Sequence, residues 1–137
     1  MKSNSLHKSE RLDKKKLIEK LFGGGARSFS VFPLRVVYLA LDNVQGEHAA
    51  ILVSVSKRRF KRAVKRNRVK RQIREAYRLN KQPLLQTLKE HNLHIAIAFI
   101  YLSDELTDSS LITERMKTAL SRISEQLSAQ SSAQSES

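Results

Sequence analysis

Cysteine is absent from the 137 residues, which excludes a disulfide framework, a thiolate metal site and a cysteine nucleophile. No apolar run approaches the ~18 residues of a membrane-crossing helix. The segment Met1–Arg11 is polar and lacks the apolar core of a secretory signal, so a cytoplasmic protein with no membrane partner is expected. Acids are scarce, 13 against 26 lysines and arginines. A two-metal nuclease needs several carboxylates converging within a few ångströms. Here they are scattered, and the one cluster, Asp104, Glu105 and Asp108, precedes a helical segment where acids cap amides and favour the dipole. His7, His48, His91 and His94 lack ligand-like spacing. Gly23-Gly24-Gly25 follows a helical segment instead of opening one, unlike a phosphate loop. No catalytic residue, protein-held metal or small-molecule substrate is expected, and the polypeptide is predicted not to hydrolyse anything alone.

What is present is positive charge in one place. The formal net charge is +13, and residues 57–81 hold thirteen basic groups against one acid, Glu75. Such a field draws in polyanions. On a folded domain it suggests nucleic acid, because the segment has too few bulky apolar residues to insert into lipid. At 137 residues and 40% hydrophobic composition, one compact domain is expected over 11–127. A flexible N-terminus (1–10) and a disordered Ser/Ala/Gln-rich tail (128–137) flank it.

The apolar pattern predicts the elements. Asp13 can cap a first helix with Leu17, Ile18, Leu21 and Phe22 on one face. An extended run from Phe29 to Leu41 follows, in which Pro33 implies an edge or a bend. Asp42–His48 has the length of a hairpin connection. Ala49–Ser56 alternates Ile51, Val53 and Val55 with Leu52, Ser54 and Ser56. A later strand, Leu93–Leu102, carries Ile95, Ile97 and Phe99 on one face. A last helix, capped by Thr107 or Asp108, carries Ile112, Met116, Ala119, Leu120, Ile123 and Leu127. The order is that of one α+β domain.

Between the last two strands, Val64–Leu79 reads as a helix. Val69, Ile73, Ala76 and Tyr77 form a core-facing stripe, and Asn67, Arg71, Arg74 and Arg78 line the opposite face, flanked by Arg68 and Lys70. Like charges at i, i+4 such as Arg74 and Arg78 each cost roughly 0.2–0.5 kcal/mol. Ordinary exposed helices mix both signs, so a merely solvated face fits poorly. Guanidinium groups grip phosphate oxygens in pairs, and Asn67 can reach a sugar hydroxyl or base edge. The spacing does not discriminate RNA from DNA.

The string Ser54-Val55-Ser56-Lys57-Arg58-Arg59, then Arg62-Ala63, then Arg66-Asn67-Arg68-Val69-Lys70-Arg71-Gln72-Ile73-Arg74-Glu75 closely resembles the protein subunit of bacterial ribonuclease P. That family's hallmark is an Arg-Asn-Arg triplet, an aliphatic residue, Lys-Arg, two residues and Arg, after a strand ending in Val-Ser/Ala-Lys-Lys. Only Arg58, in place of the second lysine, departs from it. The resemblance implies an αβββαβα fold with a mostly antiparallel sheet and a left-handed β-α-β crossover, resembling domain IV of elongation factor G. The fourth strand would lie near Arg59-Phe60 or in a split first strand.

The resemblance also implies a division of labour. A catalytic RNA subunit binds Mg²⁺ and removes the 5′ leader of precursor tRNA, while the protein binds that RNA and holds the leader. Carried over, Arg66, Asn67, Arg68, Lys70, Arg71 and Arg74 meet the catalytic RNA. Lys14, Ile18 and Phe22, with Val36, Ser54, Ser56, Lys57 and Arg58, line a leader cleft between the first helix and the sheet. Ile18 stands where the family often has phenylalanine, and the nearest strand aromatic to Val36 is Tyr38. Base stacking is therefore expected to shift to Phe22 and Tyr38, for which core packing is the competing reading. Other functions in view are a ribosome-associated or structural RNA-binding module, and a self-sufficient nuclease using Asp104 or Glu105.

Overall fold

The computed structural model describes residues 14–41 and 48–135, with side chains within 18–41 and 48–129. Asp13, His7 and most of the 42–48 connection lie outside the described residues. The order is α1 (Lys14–Phe22), β1 (Arg27–Val31), β2 (Leu34–Leu41), β3 (Ala49–Ser54), α2 (Ala63–Asn80), α3 (Gln82–Glu90), β4 (His94–Tyr101) and α4 (Ser109–Ser135). It is a single α+β domain with a four-stranded mixed sheet in the order β1-β2-β4-β3.

The expected long first strand is two strands, β1 and β2, paired antiparallel around a turn at Phe32-Pro33. Proline has no amide to give the ladder and fixes its own φ, so the chain folds back there. This split supplies the fourth strand. Sequence length suggested that β2 and β3 form a hairpin, but they are not neighbours. β4 lies between them, antiparallel to β2 and parallel to β3. Its sequence HIAIAFIY buries both faces, which only a central position allows.

Alternation along the strands makes two apolar layers. Val36, Tyr38, Ile51, Val53, Ile95, Ile97 and Phe99 face α2, α3 and α4, meeting Val69, Ile73, Tyr77, Leu84, Leu88, Ile112 and Met116. Fully burying a side chain of this kind stabilises by about 1.5–3 kcal/mol. The opposite face packs Val37, Leu41, Ala96 and Ala98 under Leu21 of α1. That smaller layer leaves Leu39, Leu52 and Ile100 only half-buried.

Three glycines end α1. A Cβ at Gly23 would sit 2.6 Å from the Glu19 carbonyl oxygen, and Gly24 and Gly25 hold φ of +107° and +84°. The fourteen residues before β4 hold an unexpected helix. Pro83 opens α3, and Leu84 and Leu88 anchor it. Asn92, at φ 52°, turns the chain so that the Leu93 amide reaches back to the Leu88 carbonyl at 2.8 Å.

The start of α4 is held from elsewhere in the chain. Gln72 of α2 donates from Nε2 to the Thr107 carbonyl and the Ser109 hydroxyl, both at 2.9 Å. The Thr107 hydroxyl, a candidate cap, instead meets the Tyr101 hydroxyl at 2.5 Å. Helix α4 continues to Ser135, past the Ser128 boundary expected for a disordered tail. No described helix is long and apolar enough to cross a membrane.

Candidate nucleic-acid interface

The inner stripe of α2 is the one its spacing predicts: Val69, Ile73, Ala76 and Tyr77 are buried. Anchored by that stripe, the helix turns its basic row outward. Asn67, Arg68 and Arg71 are exposed, while Lys70 and Arg74 are half-buried and also interact within the chain. Arg78 is answered by the segment's single acid, with its Nε donating to Glu75 Oε2 at 3.0 Å. That hydrogen bond, with the Arg78 charge, holds the Glu75 carboxyl below its usual range.

Arg66 differs from the rest of the row. Its Nη1 donates to the carbonyls of Phe60 and Lys61, at 2.7 and 2.8 Å. Those residues belong to the loop between β3 and α2, and Phe60 is buried with its ring 6.0 Å from that of Tyr101. Arg66 therefore closes the loop onto the helix instead of presenting its Nη1 donor to solvent. Helical periodicity cannot reveal this, because the acceptors are carbonyls outside the helix.

The same loop is tightened from within. The Ser56 carbonyl accepts from the amides of Arg59 and Phe60, and its hydroxyl accepts from the Arg58 amide at 3.0 Å. Arg59 donates to Asp104 Oδ1 at 3.0 Å, tying this loop to the one after β4. Asp104, expected to serve the last helix, is used as that tie.

Between the two loops lies an open groove of about 540 Å³, lined by Ser54, Ser56, Arg58, Arg59, Ile100, Tyr101, Leu102 and Asp104. Ser54 pairs with Ile100 across the parallel strands, so the groove sits at their C-terminal ends. Of the expected leader residues, the structure brings Ser54, Ser56 and Arg58 together here, with exposed Lys57 adjoining. Ile18 and Phe22 are 39% and 54% exposed on α1. Lys14 lies at the start of that helix, with its side chain outside the described residues.

Val36 and Tyr38 do not belong to such a cleft. They are 0% and 2% exposed, on the sheet face opposite α1. The Tyr38 hydroxyl donates to the Gln126 side chain of α4, and burial pushes its phenol pKa up. Strand parity is the cause: odd-numbered β2 residues face α1, and even-numbered ones face the helix layer. The run LRVVYLAL, apolar at almost every position, hides that parity in the sequence. Missed by sequence reasoning were Arg59, Ile100, Tyr101 and Leu102 as groove residues, and Asp104 was singled out only as a helix-capping acid or candidate nuclease residue.

An anchored basic helix beside a groove with a cationic lip defines a polyanion-binding protein of the α+β class. Its similarity to known proteins makes this specific. A family profile described as Ribonuclease P matches residues 6–124. The ribonuclease P protein component of Porphyromonas gingivalis is 49% identical over 118 residues, covering 86% of this chain and 85% of that protein. That of Chlorobium phaeobacteroides is 33% identical over 127 residues, covering 88% and 86%. Among solved structures, the Staphylococcus aureus RNase P protein superposes with a TM-score of 0.64 at 22% identity, covering 83% of this chain and 94% of that one. The Thermotoga maritima protein gives 0.62 at 19%, covering 82% and 96%. The chain belongs to the ribonuclease P protein family. RNA binding, tRNA processing and a place in an endoribonuclease holoenzyme follow from that membership.

Proposed function

We propose that the chain is the non-catalytic subunit of an RNA enzyme. The exposed row of α2 seats the catalytic RNA, and the groove at the ends of β3 and β4 holds the 5′ leader of precursor tRNA. Mg²⁺ enters with the RNA and supplies the hydrolytic chemistry. Among the described residues no group of three or more His, Asp or Glu side chains is placed to hold a metal ion, so no step is assigned to a protein-held cation.

The observation that carries this reading is the two-sided α2. Four buried side chains fix the helix in the core, while Asn67, Arg68 and Arg71 stand exposed on it, and the loop leading into the helix lips the groove with Arg58. Neutralising crowded phosphates lets the RNA partner reach its folded, cleaving form with fewer cations. Within the groove, the Ser54 and Ser56 hydroxyls offer hydrogen bonds to a strand passing over them, and Arg58 a charge for its phosphates. The leader's apolar contacts fall to Ile18 and Phe22, the exposed pair on α1.

The test is cleavage of leader-bearing precursor tRNA by the catalytic RNA at low Mg²⁺, with and without protein. The expected result is a faster reaction with protein, and an unchanged rate would defeat the proposal. The RNA that co-purifies with the tagged protein gives a second readout. A single abundant species of the ribozyme's size supports it, and ribosomal RNA would favour a structural RNA-binding role.

A further inference from the structure

Besides Phe22 of α1, one more large aromatic side chain has no place in either apolar layer. Phe32, at the β1–β2 turn, is 65% exposed. The turn sits at the end of the sheet where the groove opens. Leu34 pairs with Tyr101, and the Leu102 amide donates to the Pro33 carbonyl at 2.7 Å. Tyr101 and Leu102 both line the groove. Across this end of the sheet the order is therefore Arg58, the Ser54 and Ser56 hydroxyls, Leu102 and then the turn that carries the exposed phenyl ring.

Cationic side chains on one side and an aromatic platform on the other suit single-stranded nucleic acid: phosphates take the charges, and a base takes the ring. A protein partner fits less well, because the Arg58 charge and the Ser54 and Ser56 hydroxyls match a phosphate backbone at regular spacing better than an apolar side chain. We infer that Phe32 is the aromatic lip of this groove and stacks on an unpaired RNA base. The inference rests on the proposed function and adds a contact that the family motif does not carry. The base can come from the leader or from a single-stranded segment of the catalytic RNA, and the chemistry is the same.

The chain contains no tryptophan, so Phe32→Trp installs a single fluorescent reporter. Titration with an oligouridylate of about ten nucleotides, a length within the range such grooves accommodate, should quench it. Phe32→Ala and Phe32→Leu should each weaken oligonucleotide binding at least about fivefold, the low end for one stacked base. Melting temperature and salt dependence should stay at wild-type values, and Phe32→Trp should bind as wild type. An abasic oligonucleotide of equal length should not distinguish the variants.

Repeating Phe32→Ala with leader-bearing precursor, leaderless precursor and catalytic RNA alone identifies the source. A loss confined to the first assigns the leader, and a loss with the third assigns the catalytic RNA. Wild-type affinity of Phe32→Leu, an equal loss on the abasic strand, or an unquenched Phe32→Trp signal would each overturn the inference. Failure of the wild-type protein to stimulate cleavage would count against the proposed function instead.

Discussion

Arg66 separates a structural arginine from an RNA-facing one within a single motif. Its two hydrogen bonds, at 2.7 and 2.8 Å, join α2 to the carbonyls of Phe60 and Lys61. A hydrogen bond from a charged donor contributes about 1.5–3 kcal/mol. Arg66 is half-buried, so water replaces part of what is lost, and Arg66→Ala is expected to cost about 2–3 kcal/mol in total. For a chain of this length that lowers Tm by roughly 6–12 °C. Arg68, exposed two residues further on, is the control: Arg68→Ala should change stability by no more than about 0.5 kcal/mol. Binding to the catalytic RNA across a salt series should show the reverse order. Arg68→Ala removes a phosphate contact and flattens the log–log slope by about 0.7–0.9, whereas Arg66→Ala weakens binding at every salt concentration with its slope unchanged. Urea unfolding and filter binding measure the two quantities separately. If Arg66→Ala is as stable as wild type and flattens the slope, its guanidinium belongs to the RNA interface and the reasoning fails.

Three further outcomes follow from particular contacts. Arg78→Ala should raise the NMR titration midpoint of Glu75, whose carboxyl the Arg78 hydrogen bond now holds low. Because the folded-state value is the depressed one, the pair's small stabilisation is present above the ordinary carboxylate pKa and lost as pH falls through the lowered value; an unmoved midpoint would show the pair absent in solution. Asp104→Asn should free the Arg59 charge for phosphate while the two Arg66 bonds still hold the loop, giving tighter and more salt-sensitive binding of leader-bearing precursor with stability changed by no more than about 1 kcal/mol; weaker binding would mean that the loop needs the Arg59 tie as well. Tyr38→Phe removes the hydroxyl bonded to Gln126 and should cost about 1 kcal/mol of stability while leaving RNA affinity intact, whereas a selective loss of affinity would contradict the burial of Tyr38.

The basic helix was legible because its signal is local. Val69, Ile73, Ala76 and Tyr77 recur at helical spacing, and no tertiary detail is needed to place Asn67, Arg68 and Arg71 opposite them. Strand β3 was legible for the same reason, since Ile51, Val53 and Val55 alternate with residues that the fold leaves partly or fully exposed. Strand β2 was not, because nearly every one of its residues is apolar and only pairing with β4 decides which face each takes. The family resemblance places Val36 in the cleft, with Tyr38 as its nearest aromatic, and the apolar run offers no alternation that would contradict it. The position of β4 between β2 and β3 was illegible too, since strand order depends on which segment can bury both faces. Helix α3 could have been found from Pro83 at its start and Leu84 and Leu88 one turn apart.

Arg66 and Arg59 are held by the fold rather than offered to solvent. Counted as charge, they are two of the thirteen bases between residues 57 and 81, indistinguishable in sequence from Arg68 or Arg71. In the fold, one bonds two loop carbonyls and the other a carboxylate across the groove. The loop they fix carries Lys57, Arg58, Lys61 and Arg62, all exposed. Crowding like charges onto an unrestrained loop would let repulsion splay them, and an RNA would then have to order both loop and side chains on binding. Holding the backbone in advance removes part of that cost. A basic segment built this way should be distinguished from a basic tail by backbone protection: amides of 58–60 should exchange slowly before RNA is added, and fast exchange there would show that the loop is ordered only by its ligand.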